Sequence, residues 1–398
     1  MTAVGSDPPG HRATVYVLTL AQALAMTGVS MVTLTTGLAG TYLAVDPTLA
    51  TLPLAIQFLA TMLSTFPAAM VMRRFGRRFG FTAGQLIGVA GAAVSVLALF
   101  DKSFALLNAG GLLLGIHNAC WGYYRFAAAE SAAPAFRQRA LSLVMGGGVL
   151  AAVAGPELAK HTRDLLAPIM FAGCYAVIAG LCLVNVILLQ AGRYAPPPSA
   201  DERASSGRPL ADIMRQPRFI AAAAAALVGY SVMILVMAAT PISMVDCGLT
   251  FDDAAWVIQW HGLAMFAPSF FTGRLIEKFG AVKVISAGLA LNVACMALHL
   301  AGTDLSNFWA GLVALGLGWN FMYVGATSLL TETYRFEEKE KVQAANDTLV
   351  FAGISLATFA SGALQNSFGW QAVNAAIAVP LVLAFIAVLG ARTRPATA

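Results

Sequence analysis

Apolar runs of about 20 residues, the length that carries an α-helix across a bilayer core, recur from one end of this 398-residue chain to the other. They fall at roughly 14–42, 50–72, 79–100, 104–130, 138–160, 167–191, 219–245, 253–276, 282–301, 306–331, 341–366 and 370–391. Hydrocarbon offers no water to backbone amides and carbonyls, so each run is expected to be helical. Only 11% of the residues are charged and the mean hydropathy is +0.75, against roughly a quarter charged in soluble domains. The expectation is an all-α integral membrane protein with twelve transmembrane helices. The first run is too long for a cleaved signal peptide.

Basic residues set the expected orientation. Arg12, the block Arg73-Arg74-Phe75-Gly76-Arg77-Arg78, Arg137, Arg139, the basic residues of 193–218, Arg274, Lys278, Lys283, Arg335, Lys339, Lys341, Arg392 and Arg394 fall on one side under this assignment. Lys102, Lys160 and Arg163 fall on the other. The positive-inside rule then puts both termini in the cytoplasm. The formal charge of +5 is absorbed by these loops, which leaves no basic stripe for nucleic acid. Five cysteines without CxxC spacing argue for packing roles rather than a disulfide framework.

Residues 192–218, "GRYAPPPSADERASSGRPLADIMRQPR", are polar and Pro/Ser-rich and read as a cytoplasmic linker. They separate an N-terminal six-helix bundle, 1–191, from a C-terminal one, 219–398. The halves repeat: "AMVMRRFGRR" (69–78) matches "GRLIEKFGAV" (273–282) at a shift of 204 residues, and Glu130, Arg137 and Arg139 match Glu332, Lys339 and Lys341 at 202. Such pseudo-repeats are the layout of transporters that rock around a midplane site. The stretch Gly273-x-x-x-Glu277-Lys278-x-Gly280-x-x-Lys283 resembles the loop signature of the major facilitator superfamily. That resemblance implies the major facilitator fold and a gating role for Gly273, Glu277, Lys278 and Gly280. The first-half copy has Ala69 and Arg73 where the signature has glycine and an acid, so a gate latch would rest on Glu277.

Arg125, late in the fourth run, and Glu130 after it are ionisable groups at membrane depth, where a charge usually faces a cavity or a partner. They read equally as a gating or coupling pair and as an interfacial arginine with its loop. "GGGVLAAVAGP" (146–156) is similar to a Gly-Pro motif of proton-coupled antiporters, with Ala159-Lys160 in place of two glycines.

In the seventh run Met233 and Met237 are four apart and share a helix face. Met244 continues along it and Cys247 follows at the mouth. In "WHGLAMF" (260–266) His261 and Met265 are also four apart. The runs are antiparallel neighbours, so Met233 and Met265 come level near the midplane, with Met237 and His261 about 6 Å toward the periplasm. Three thioethers and one imidazole form a soft set that suits Cu(I). By spacing alone, packing is the stronger reading of the methionines. His117 and Cys120, with Met26 or Met31, form a weaker candidate relay for which packing is again stronger.

Met-x-x-x-Met followed by His-x-x-x-Met resembles the motif pair of CcoA-type copper importers, a branch of the same superfamily. The resemblance implies copper import for haem–copper (cbb3-type) oxidase assembly. Met233, Met237, His261 and Met265 would be ligands, Met244 and Cys247 would collect the ion, and a cytoplasmic protein would accept it. Copper would be substrate, with no permanently bound cofactor, and a monomer is expected. The stretch "GWNFMYVGATSLLTETY" (318–334) is shared with related bacterial facilitators and says nothing of metal. No nucleotide loop, paired hydrolytic carboxylates or zinc-ligand spacing supports an enzyme. The alternative is a proton-coupled exporter of drugs or small organic metabolites, with Arg125 and Glu130 as the coupling pair and the methionines replaceable by leucine.

Overall fold

The computed structural model describes residues 11–133, 136–194, 207–335 and 338–392. Their helices, in chain order, are α1 (His11–Leu43), α2 (Leu52–Phe75), α3 (Arg77–Phe100), α4 (Phe104–Trp121), α5 (Tyr124–Ser131), α6 (Arg137–Thr162) and α7 (Ala172–Gln190). There follow α8 (Leu210–Met214), α9 (Pro217–Asp246), α10 (Phe251–Phe266), α11 (Ser269–Phe279), α12 (Ala281–Ala301), α13 (Leu305–Thr331), α14 (Lys339–Ala376) and α15 (Ala378–Arg392).

Among the described residues, ten helical stretches are long and apolar enough to cross a membrane, where twelve were expected. The difference has two physical origins. Lys341–Gly390 is one stretch of 50 residues that holds two of the expected runs and kinks at Gly369, whose φ of 77° leaves the helical region. The eighth expected run is cut at Ala267-Pro268 into pieces of 16 and 11 residues, α10 and α11. Proline has no N–H for the preceding turn. The fourth run is likewise broken, between Trp121 and Tyr124, so Arg125 sits on the short helix α5.

By packing, the chain divides into two compact units, Met1–Thr35 with Leu59–Glu202, and Thr36–Phe58 with Arg203–Ala398. The first unit centres on Phe81 and Tyr124, whose rings meet edge-on at 4.7 Å. Gln85 Nε2 donates to the Tyr124 hydroxyl at 2.7 Å. In the second unit α13 lies between α9, α10 and α12. Lipid is as apolar as a leucine side chain, so small residues that let backbones approach are what hold such helices together. Gly288 on α12 faces the Gly318 carbonyl and the Met322 amide of α13.

The repeat seen in sequence has a backbone counterpart. Gly76, between α2 and α3, has φ 86° and ψ 160°; Gly280, between α11 and α12, has φ 85° and ψ 150°. Both tight turns use the left-handed region that glycine enters without a Cβ penalty.

Of the linker, residues 195–206 lie outside the described residues, as does Arg394. Its two ends are fixed, and its second end carries the short helix α8, with Ile213 buried. At the first end, Thr14 Oγ1 takes the Arg193 N–H at 2.9 Å and Arg78 donates to the Gly192 carbonyl at 2.8 Å. At the second, Arg208 binds the enclosed Glu338 carboxylate: its backbone N–H, Nε and a terminal nitrogen donate at 2.7, 2.9 and 2.7 Å. The Arg335 amide adds a fourth donor at 2.9 Å, and Lys341 Nζ donates to the Arg208 carbonyl.

These donors, Arg208 above all, hold the Glu338 carboxyl well below the usual carboxylate range. A depressed folded pKa stabilises above the ordinary value of 4.5 and loses that contribution as pH falls through the folded pKa. Glu338→Gln is therefore expected to lower the melting temperature by a constant amount from neutral pH down to pH 4.5, with the gap from the native chain closing only at lower pH. Thermal unfolding of both proteins across that range checks it.

Candidate functional site

Trp and Tyr ordinarily collect at the two membrane interfaces. Trp319 and Tyr323 instead lie four apart near the middle of α13, and Tyr230 lies near the middle of α9. Their rings converge. Trp319 stacks on Tyr323 at 5.2 Å and 11°, and Tyr230 meets both edge-on, at 5.2 and 5.3 Å. Phe266, the last residue of α10, adds a fourth ring at 5.9 Å from Trp319. Trp319 is 5% exposed, whereas Tyr230, Tyr323 and Phe266 are half-buried. The Trp319 indole N–H is buried without a hydrogen-bond partner. A buried donor of this kind is costly when left unsatisfied, and it suits an acceptor brought by a ligand. These four rings are not among the site residues expected from sequence. The available clue was W-x-x-x-Y at helical spacing in the middle of an apolar run.

The stretch "WHGLAMF" adjoins the box and is held by α13. His261 Nδ1 lies 2.8 Å from the Leu312 carbonyl oxygen. A carbonyl only accepts, so Nδ1 carries the proton and Nε2 keeps its lone pair, buried and unpartnered. The Met265 carbonyl accepts from Asn320 Nδ2 at 2.7 Å. Met233, Met244 and Met265 are buried, Met237 is half-buried, and Cys247 is exposed at the end of α9. Among the described residues no three His, Cys, Asp or Glu side chains group as metal ligands. His117 Nδ1 donates to the Gly84 carbonyl at 3.1 Å, and Cys120 packs against Gly84.

Arg125 and Glu130, the residues expected to act in gating or coupling, make separate contacts. Glu130 binds Arg77, with N–O distances of 2.7 and 3.3 Å, because α3 begins beside the end of α5 and offers its first-turn guanidinium. Arg125 lies over the Phe126 ring at 4.8 Å, with its Nε buried and unpartnered. The repeat-related Glu332 pairs with Arg218 at the start of α9. The side chains of Arg137, Arg139, Lys339 and Arg392 lie outside the described residues. Glu277 and Lys278 are exposed in the last turn of α11; Lys278 lies over Phe279 at 5.2 Å, and Glu277 has no ion-pair partner among the described residues. A Cβ at Gly273 would meet nothing within 4 Å.

Ten helical stretches of membrane-crossing length and apolarity among the described residues define a polytopic membrane protein. The Major Facilitator Superfamily model matches residues 18–244 and 221–398, and the chain belongs to that family as a secondary transporter. It is 41% identical over 388 residues to the riboflavin transporter RfnT of Brucella anthropi, covering 95% of this chain and 97% of that one. It is 30% identical to the uncharacterized MFS-type transporter YddS of Bacillus subtilis, covering 77% of this chain and 74% of the relative. Among solved structures, the POT family transporter PepTSo superposes with a TM-score of 0.76 at 11% identity, covering 97% of this chain and 99% of that one. A bacterial homolog to the human lysosomal transporter Spinster gives 0.73 at 16%, covering 99% of this chain and all of the other. These two show the fold alone. The expected likeness to copper importers finds no support in these matches: the four-residue Met/His motif is short, and a relative that spans nearly the whole chain is named as a riboflavin transporter.

Proposed function

We propose that this protein carries a flat, heteroaromatic metabolite of the flavin type, riboflavin itself in the first instance, across a bacterial inner membrane. The observation that carries the reading is the ring box of Tyr230, Trp319, Tyr323 and Phe266 around an unsatisfied indole N–H. An isoalloxazine ring offers π-faces to such rings and carbonyl acceptors to the indole. Stacking of a planar base on an aromatic side chain is worth about 1–3 kcal/mol. The riboflavin transporter at 41% identity supports this substrate class. Twelve crossings, cytoplasmic termini and alternating access between the halves 1–191 and 219–398 belong to the same proposal, with the chain acting as a monomer.

The small-metabolite alternative is thereby preferred to copper import. Uptake by cells lacking their own carriers separates the two. Native protein is expected to accumulate labelled riboflavin, and the pair Met233→Leu with Met237→Leu to keep at least about half of that rate, since leucine and methionine exchange with little cost in packing. Copper accumulation that the same pair abolishes, with no riboflavin uptake, would instead establish the thioether–imidazole site.

A further inference from the structure

The break between α10 and α11 is bridged by one side chain. Pro268 supplies no N–H, so the Ala264 carbonyl loses its donor one turn later. Asn320, fully buried on α13, lies across this gap. Its Nδ2 donates to the Met265 carbonyl on one side and lies 2.7 Å from the Ser269 hydroxyl on the other. Its Oδ1 is 2.7 Å from the Thr272 hydroxyl, whose single proton is shared with the Pro268 carbonyl at 2.8 Å. Both pieces of the helix thus hang on the same amide. The next residue along α13 toward its start is Trp319, and the last residue of α10 before the break is Phe266, which packs against it.

We propose that Asn320 is a positioning residue for transport: it pins the α10–α11 break, so that bending there moves Phe266 against Trp319 and a substrate held by the rings biases the bend. A ligand shifts such an equilibrium only through different contacts with its two states, and Phe266 is the ring that would supply the difference. The proposal rests on the ring box being the substrate site. Asn320 need touch no substrate; it acts through the helix.

The test uses the full chain in nanodiscs and proteoliposomes. Riboflavin affinity is read from quenching of tryptophan fluorescence, maximal rate from riboflavin counterflow, and motion from hydrogen exchange over residues 263–272. For Asn320→Ala the expected result is an affinity within about threefold of native with a maximal rate down about tenfold or more, the split that marks a conformational step. The riboflavin-dependent change in exchange at 266–272 is expected to disappear. Thr272→Ser should retain both rate and exchange change, and Thr272→Val, nearly isosteric, should show the same split in milder form. A native rate in Asn320→Ala would overturn the proposal, as would equal losses of affinity and rate. If Asn320→Ala fails to fold, Thr272→Val decides: the split supports the proposal, and an unchanged rate overturns it. A native chain that does not bind riboflavin removes the substrate reading and this proposal together, whereas native binding with an unaffected variant removes this proposal alone.

Discussion

Trp319→Ala is expected to weaken riboflavin binding by at least about tenfold, the loss of one stacked ring face at about 1–3 kcal/mol together with one hydrogen bond at about 0.5–1.5 kcal/mol, and to reduce transport in proportion. Trp319 is the ring that touches all three others: it stacks on Tyr323 and meets Tyr230 and Phe266 edge-on. Its removal takes away a ring face and the only buried, unpartnered donor described in the box. It also leaves a void, and truncating a buried Trp costs about 3–5 kcal/mol of stability in a well-packed core. Binding must therefore be compared with melting temperature. Trp319→Phe keeps a ring and loses the N–H, so its expected loss in affinity is smaller, about threefold to tenfold, the weight of one hydrogen bond. Quenching titrations on folded Trp319→Phe and Trp319→Ala separate stacking from hydrogen bonding. Native affinity in both would remove the ring box as the site.

Gly288→Val is expected to damage the helix packing that supports the site. A Cβ at Gly288 would lie 2.8 Å from the Gly318 carbonyl oxygen and 2.9 Å from the Met322 backbone nitrogen. Neither is a side-chain tip that can swing away, so α12 and α13 must separate. Overpacking of this kind costs about 1–3 kcal/mol, and it displaces the segment that carries Trp319, Asn320 and Tyr323. Melting temperature, membrane abundance and riboflavin affinity should all fall. Gly273→Ala is the control: it lies on α11 with nothing within 4 Å of the added methyl, and alanine favours the helix by about 1 kcal/mol. An unchanged melting temperature in Gly288→Val would mean that the α12–α13 approach is not what holds this part of the unit.

The spans were legible because length and apolarity alone dictate helices in hydrocarbon, and the run at 282–301 matches α12 to within a residue at its start. The repeat was legible too, since its two turns need glycine at Gly76 and Gly280 and the sequence shows both. Breaks were less so. Pro268 stands in plain view, yet proline inside a membrane helix is tolerated when neighbours satisfy the freed backbone groups. Here Asn320, 55 residues from Met265, gives the Met265 carbonyl beside the break its donor, and no local pattern announces it. Partner choice was hidden for the same reason: Glu130 lay near Arg137 and Arg139 in sequence but binds Arg77, 53 residues back. "WHGLAMF" drew the eye to sulfur and imidazole, while His261 spends one ring nitrogen on the Leu312 carbonyl. The aromatic box needed two helices to come together before Tyr230 could be joined to Trp319 and Tyr323.

The most direct test is riboflavin counterflow by the purified native chain in proteoliposomes, with unlabelled riboflavin inside and labelled riboflavin outside. Transient accumulation of label that excess riboflavin suppresses, and that Trp319→Ala lacks, is the expected result. No accumulation above empty liposomes, from protein that is folded and correctly inserted, would contradict a flavin-type substrate.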